Sequence, residues 1–127
     1  MYNDIISKLK LGGTALESRE TAVFAAKILD DKKAREIKLL DISGLTTIAE
    51  FFVICTGGST TQVKALADNV VEKMSENGAE PLRCEGYKSC EWILLDYGDV
   101  VVHIFKEDMR SFYNLDHLWG DAKNIQI

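Results

Sequence analysis

Residues 51–55 read Phe-Phe-Val-Ile-Cys, an apolar run with no polar residue in it. Successive side chains of a strand point to opposite faces, so a strand of this kind has to be covered on both sides. Thr56-Gly57-Gly58-Ser59 ends the run, and Val63, Leu66, Ala67, Val70, Val71 and Met74 then fall at helical spacing. Ser59 with Gln62 is a capping box, and Gly78 stands where the helix needs a left-handed residue to end. A doubly covered strand running straight into an amphipathic helix predicts an α/β layer structure.

The rest of the chain supplies the partners for that strand. Residues 1–13 read as an N-terminal extension, because Gly12-Gly13 breaks the turn that Ile5, Ile6 and Leu9 begin. Thr14 and Glu17 form a second capping box, opening a helix that buries Thr21, Phe24, Ala25 and Ile28 and ends in the charged stretch 30–35. Ile37 and Leu39 alternate onto one face of a strand stopped by Ser43-Gly44, and Thr47 and Glu50 bracket a short helical turn. Three strand segments follow: "PLRCEGY", "EWILLDY" and "VVVHIF", the last two a hairpin through Tyr97-Gly98-Asp99. A final helix over 109–119 places Phe112, Leu115 and Trp119 inward and stops at Gly120. The expectation is one domain over 14–122 with a five-stranded mixed sheet, and a tail over 123–127.

Composition narrows the classes of function. The chain has 127 residues, 46% hydrophobic and 28% charged, which is ordinary for a globular protein. It has neither a membrane-length apolar run nor a charged-then-apolar leader, so a cytoplasmic location is expected. Three cysteines without Cys-x-x-Cys spacing argue against a disulfide framework and fit a reducing compartment. A net charge of −5 speaks against direct nucleic-acid binding and suits a basic protein partner.

Local chemistry is thin. Gly57-Gly58-Ser59 at a helix start offers backbone N–H groups to an anion, and a similar turn occurs in nucleotidyltransferases. Neither the G-x-G-x-x-G fingerprint nor a Gly-Lys-Ser/Thr phosphate loop is present. Nucleotidyl transfer also needs paired carboxylates to hold Mg²⁺, whereas the next acidic residue, Asp68, stands alone. His103 has no zinc-like spacing to Cys84 or Cys90, and Cys90 has no orienting group or oxyanion donor to make it a nucleophile. Asp96 and Asp99 flank a turn, where aspartate serves its own backbone. No catalytic residue, metal or cofactor is assigned. The hairpin is more distinctive: Trp92, Leu94 and Asp96 share one face, and Ile93, Leu95 and Tyr97 the other. If helices cover one side only, the other carries an aromatic among acids, the composition of an interface; the alternative is a second helical layer covering both.

Residues 30–60, 67–73 and 84–122, and above all "WILLDYGDVVVHIF" and "FYNLDHLWGDA", resemble the Iojap family of ribosomal silencing factors. The resemblance covers 29–122. It implies a nucleotidyltransferase-like fold without the catalytic carboxylates, and a non-enzymatic function. It further implies binding to the fourteenth protein of the large ribosomal subunit, which blocks joining of the small subunit and represses translation when nutrients fall. A docking surface is expected on the hairpin, centred on Trp92 with Tyr97 nearby and rimmed by Glu91, Asp96, Asp99, Glu107 and Asp108, its acidity complementing a basic ribosomal protein. A homodimer is left open as a further assembly.

Overall fold

A computed structural model of the chain describes residues 15–113 and 122–125. In chain order the elements are α1 (Ala15–Asp31), β1 (Arg35–Asp41), β2 (Phe51–Gly57), α2 (Thr60–Glu76), β3 (Arg83–Glu85), β4 (Trp92–Asp96), β5 (Val100–Lys106), α3 (Glu107–Tyr113) and β6 (Lys123–Asn124). They build a mixed sheet in the order β3-β4-β5-β2-β1-β6. β2 and β5 run parallel and every other neighbouring pair antiparallel. The mixed α/β architecture agrees with the sequence reading, but the described sheet has six strands where five were expected. The extra one is Lys123–Asn124, assigned above to a tail; it pairs with Asp41 and Leu40. Two residues carry no periodicity, which is why the pattern missed them.

β2 is the centre. All seven of its residues are buried. Phe51, Val53 and Cys55 face one core with Phe24, Ala25, Ile28 and Leu29 of α1 and Val63, Leu66, Val70 and Met74 of α2. Phe52 and Ile54 face a second core with Leu40, Ile42, Val101 and Phe105, against which Trp92, Leu94 and Met109 pack in part. The single apolar run thus joins two cores, the first covered by two helices and the second reached by α3.

The helices follow the sequence with local corrections. In α1, Phe24, Ala25 and Ile28 are buried as expected, but Thr21 is only half-buried. The inward stripe runs Ser18, Ala22, Ala25, Ala26 and Leu29, and its three alanines let the helix approach the sheet closely. α2 begins where expected: Ser59 Oγ accepts the Gln62 N–H at 3.1 Å, while Gln62 Oε1 accepts the N–H of Gly58, one residue before the usual capping-box donor. Its end is also as read, with Gly78 at φ +85. No helical turn forms between Thr47 and Glu50. The loop turns earlier, at 43–45, where Ile42 O accepts from Leu45 N and Thr46 N, and the Glu50 backbone is taken up by Ile42 and Asp99. α3 starts at Glu107, directly off β5. Thr14, the Phe112 side chain, Leu115, Trp119, Gly120 and the 1–13 extension lie outside the described residues.

The β4–β5 hairpin forms as expected, with Tyr97 N donating to Val100 O at 2.8 Å and Asp96 Oδ1 capping the Gly98 N–H. Ahead of it, Gly86 has φ +91, and a Cβ there would run into the Trp92 carbonyl oxygen. Gly78 is also left-handed but has open space around it. Gly78→Ala should therefore cost only the left-handed penalty, about 1 kcal/mol. Gly86→Ala must move backbone as well and should cost about 3 kcal/mol or more. Chemical denaturation of both variants checks the order; equal costs would contradict the packing of Gly86 on β4.

Candidate docking surface

Trp92 opens β4 and lies opposite Phe105. Its ring stacks on Phe105 at 4.9 Å between centroids, and it is half-buried. The indole Nε1–H donates to His103 Nδ1 at 3.1 Å. His103, in mid-β5, meets the Phe52 ring edge-on at 4.5 Å. The aromatic layer Phe52, His103, Trp92 and Phe105 forms because alternate residues of β2, β5 and β4 share a face in register. Trp92 is accordingly neither a free surface side chain nor a core one: one part is anchored and the rest is wet.

The seven expected surface residues do not gather in one place. Tyr97 turns to the opposite side and packs against the core under α1 and α2. Its hydroxyl is buried without a partner, and burial pushes its pKa up. It follows the parity of Ile93 and Leu95, so it is not a neighbour of Trp92. The acids divide along the hairpin. Glu91, Glu107 and Asp108 lie at the Trp92 end, where Glu91 O accepts from Lys106 N. Asp96 and Asp99 lie at the turn, about 14 Å away along a five-residue strand. Three of the acids near or along the face hold cations: Glu107 pairs with Arg35 at 3.3 Å, Asp108 with Lys106 at 3.5 Å and Asp96 with Arg83 at 3.4 Å. Asp99 instead accepts from Ser18 Oγ at 3.2 Å.

Sequence reasoning missed two features here. Asp41 and Glu50 join Asp99 at the turn end of the sheet: burial first, then Asp99 and Asp41, raise the Glu50 pKa, while a hydrogen bond from Ser43 lowers that of Asp41. Pairing of β2 with β1 brings in Asp41, and pairing of β2 with β5 brings in Asp99, whose carbonyl accepts from Glu50 N. The second is Arg110, buried under the second core, whose guanidinium donates to Thr56 Oγ1 at 2.9 Å and to the Glu36 carbonyl. It fastens α3 to β2 and β1. A lone arginine in a short amphipathic segment gives no sign of such a role.

The chemical candidates resolve structurally. The N–H groups of Gly58 and Gln62 are spent within the turn, and the Arg35 guanidinium lies against Gly58. Asp68 is two turns along α2 and pairs with Lys64 at 2.8 Å. Cys84 pairs across from Leu95, on the face away from His103, and Cys90 is buried with its thiol donating to Tyr87 O. The sheet therefore separates both cysteines from the histidine. Cys55, in the middle of β2, has its thiol pushed up to about 12 by burial, which leaves it inert as a nucleophile.

Burial also holds the His103 pKa at about 4 against an ordinary 6.5. The unfolded chain binds that proton at higher pH than the folded one. The stability due to a neutral His103 is therefore complete above about pH 6.5 and lost as pH falls toward 4, by up to about 3 kcal/mol. Denaturation of the wild type should show this slope, and His103→Leu should flatten it relative to wild type. Identical pH profiles would reject a buried neutral histidine.

The family model described as "Ribosomal silencing factor during starvation" matches residues 15–127. A relative from Halalkalibacterium halodurans, a ribosomal silencing factor, is 43% identical over 88% of this chain and 96% of its own length. Another, from Bacillus subtilis and of the same description, is 47% identical over 77% of this chain and 83% of its own. A crystal structure of a Chromobacterium violaceum protein superimposes with a TM-score of 0.79 at 41% identity, covering 82% of this chain and 87% of that one. Matched over residues 15–127 by the family model and over 77–88% of its length by these relatives, the chain belongs to the family of ribosomal silencing factors.

Proposed function

We propose that the chain silences translation as a non-enzymatic wedge: it occupies the fourteenth protein of the large ribosomal subunit, and the small subunit cannot then join. It acts where its ribosomes are, in the cytoplasm, when nutrients fall. The observation that carries the reading is Trp92, an anchored aromatic with one side toward solvent at the end of a sheet face. Aromatics held rigid yet wet in the free protein lose little freedom on docking and supply most of the energy when desolvated. Glu91, Glu107 and Asp108 beside it favour a basic partner, and a protein lying against RNA is basic. Tyr97 has no part in this surface, and Asp96 and Asp99 stand at its far edge.

Adding the chain to purified subunits should lower the yield of joined ribosomes in sucrose gradients, and unchanged joining at saturating protein would reject the function. Trp92→Ala should weaken binding to the large subunit by about 2 kcal/mol or more, and neutralising Glu107 or Asp108 by under about 1. Because Trp92 also stacks on Phe105, binding and melting must be read together: weaker binding by a folded variant supports the surface, and full binding rejects it.

Catalysis is not part of the reading, since Gln62 and Ser59 take up the N–H groups of Gly58 and Gln62 and Asp68 is paired with Lys64. Titration calorimetry with nucleoside triphosphates and Mg²⁺ should give no binding heat. Ser59→Ala should lower stability by about 1 kcal/mol through the lost cap and leave subunit binding intact. Metal-dependent nucleotide transfer that disappears in Ser59→Ala would overturn this.

A further inference from the structure

We infer that His103 is a positioning residue for docking: its Nδ1 holds the Trp92 indole in the orientation that the ribosomal partner meets. The inference rests on the reading of Trp92 as the docking group. His103 is 4% exposed and stands between Ile54 on β2 and Leu94 on β4, both apolar. Because Nδ1 accepts the indole N–H at 3.1 Å, the ring's own proton sits on Nε2. That Nε2–H is buried with no hydrogen-bond partner.

A histidine at this position therefore works against the fold. It leaves a buried donor unsatisfied and a titratable ring desolvated, where a leucine would fill the space between Ile54 and Leu94 without either penalty. Its hydrogen bond goes to Trp92, the aromatic of the proposed surface that is half open to solvent. The bond sets the direction in which the indole faces, beyond what stacking on Phe105 requires. Fixing that ring in the free protein removes an ordering cost from binding. Stability and docking should then respond to His103 in opposite directions, which a merely structural residue would not do.

The test uses the full chain with purified large subunits and compares wild type, His103→Leu, His103→Asn and Trp92→Ala. Three quantities are read: subunit affinity, thermal melting, and the Trp92 indole N–H resonance, assigned by its loss in Trp92→Phe. His103→Leu should melt at or above the wild-type temperature at neutral pH, shift the indole resonance and bind about fivefold to tenfold more weakly. His103→Asn, whose Oδ1 reaches the place of Nδ1, should recover most of the affinity. Wild-type affinity in His103→Leu, equal losses in the Leu and Asn variants, or melting that falls in step with binding would each overturn the inference. Trp92→Ala separates the two levels. If it loses binding while His103→Leu does not, only the role of His103 falls; if folded Trp92→Ala binds as the wild type does, the docking reading falls with it.

Discussion

Everything in this molecule is arranged around the burial of β2 on both faces. A strand with phenylalanine, valine, isoleucine and cysteine pointing both ways has no solvent side, so the sheet must be given two covers. α1 and α2 form the first, with alanines on α1 setting the close approach. The second is less complete, a smaller core reached by α3 and edged by half-buried side chains. α2 carries the chain across one face before the sheet resumes at β3, and two antiparallel reversals through β4 then set β5 parallel beside β2. β4, which leads into β5 through the hairpin, carries Trp92 on the face where the second cover thins. Trp92 is there because the central strand came first.

The glycine turn after β2 illustrates how local geometry and chemistry separate. Its backbone has the form that cradles an anion, a helix start with a small-residue approach. Here Gln62 turns back and takes the Gly58 N–H, and Ser59 takes that of Gln62. A side chain of the protein itself thus stands where a phosphate oxygen would be, and the first carboxylate downstream is held by a lysine. The turn is retained as a way to start a helix tightly against a buried strand. Family membership fits this reading, since the relatives are described as silencing factors.

Electrostatics at the hairpin are also more local than net charge suggests. A charge of −5 spread over the chain says little about steering, because Glu107, Asp108 and Asp96 each have a cation within 4 Å. Exposed pairs of this kind contribute little to stability and are easily exchanged for contacts with a partner. A second group of acids, Asp41, Glu50 and Asp99, gathers at the far end of the sheet, where burial and the two aspartates raise the Glu50 pKa.

Element by element, the sequence determined what depends on near neighbours. The apolar run of β2, the helical spacing of Val63 to Met74, the Ser59 cap and the left-handed Gly78 were all legible because each is specified within a few residues. So was the hairpin, from one glycine-containing turn between alternating segments, and so was the family, from the long stretch around Trp92. The tertiary structure decided what depends on register between distant segments, where a shift of one residue exchanges the two faces. Only pairing could say that Trp92 shares a face with His103, which of the two hairpin faces is sealed by α1 and α2, that Glu50 meets Asp99, or that Arg110 reaches Thr56. The two-residue strand at Lys123–Asn124 likewise exists because β1 offers it an edge, and nothing in its own composition asks for a strand.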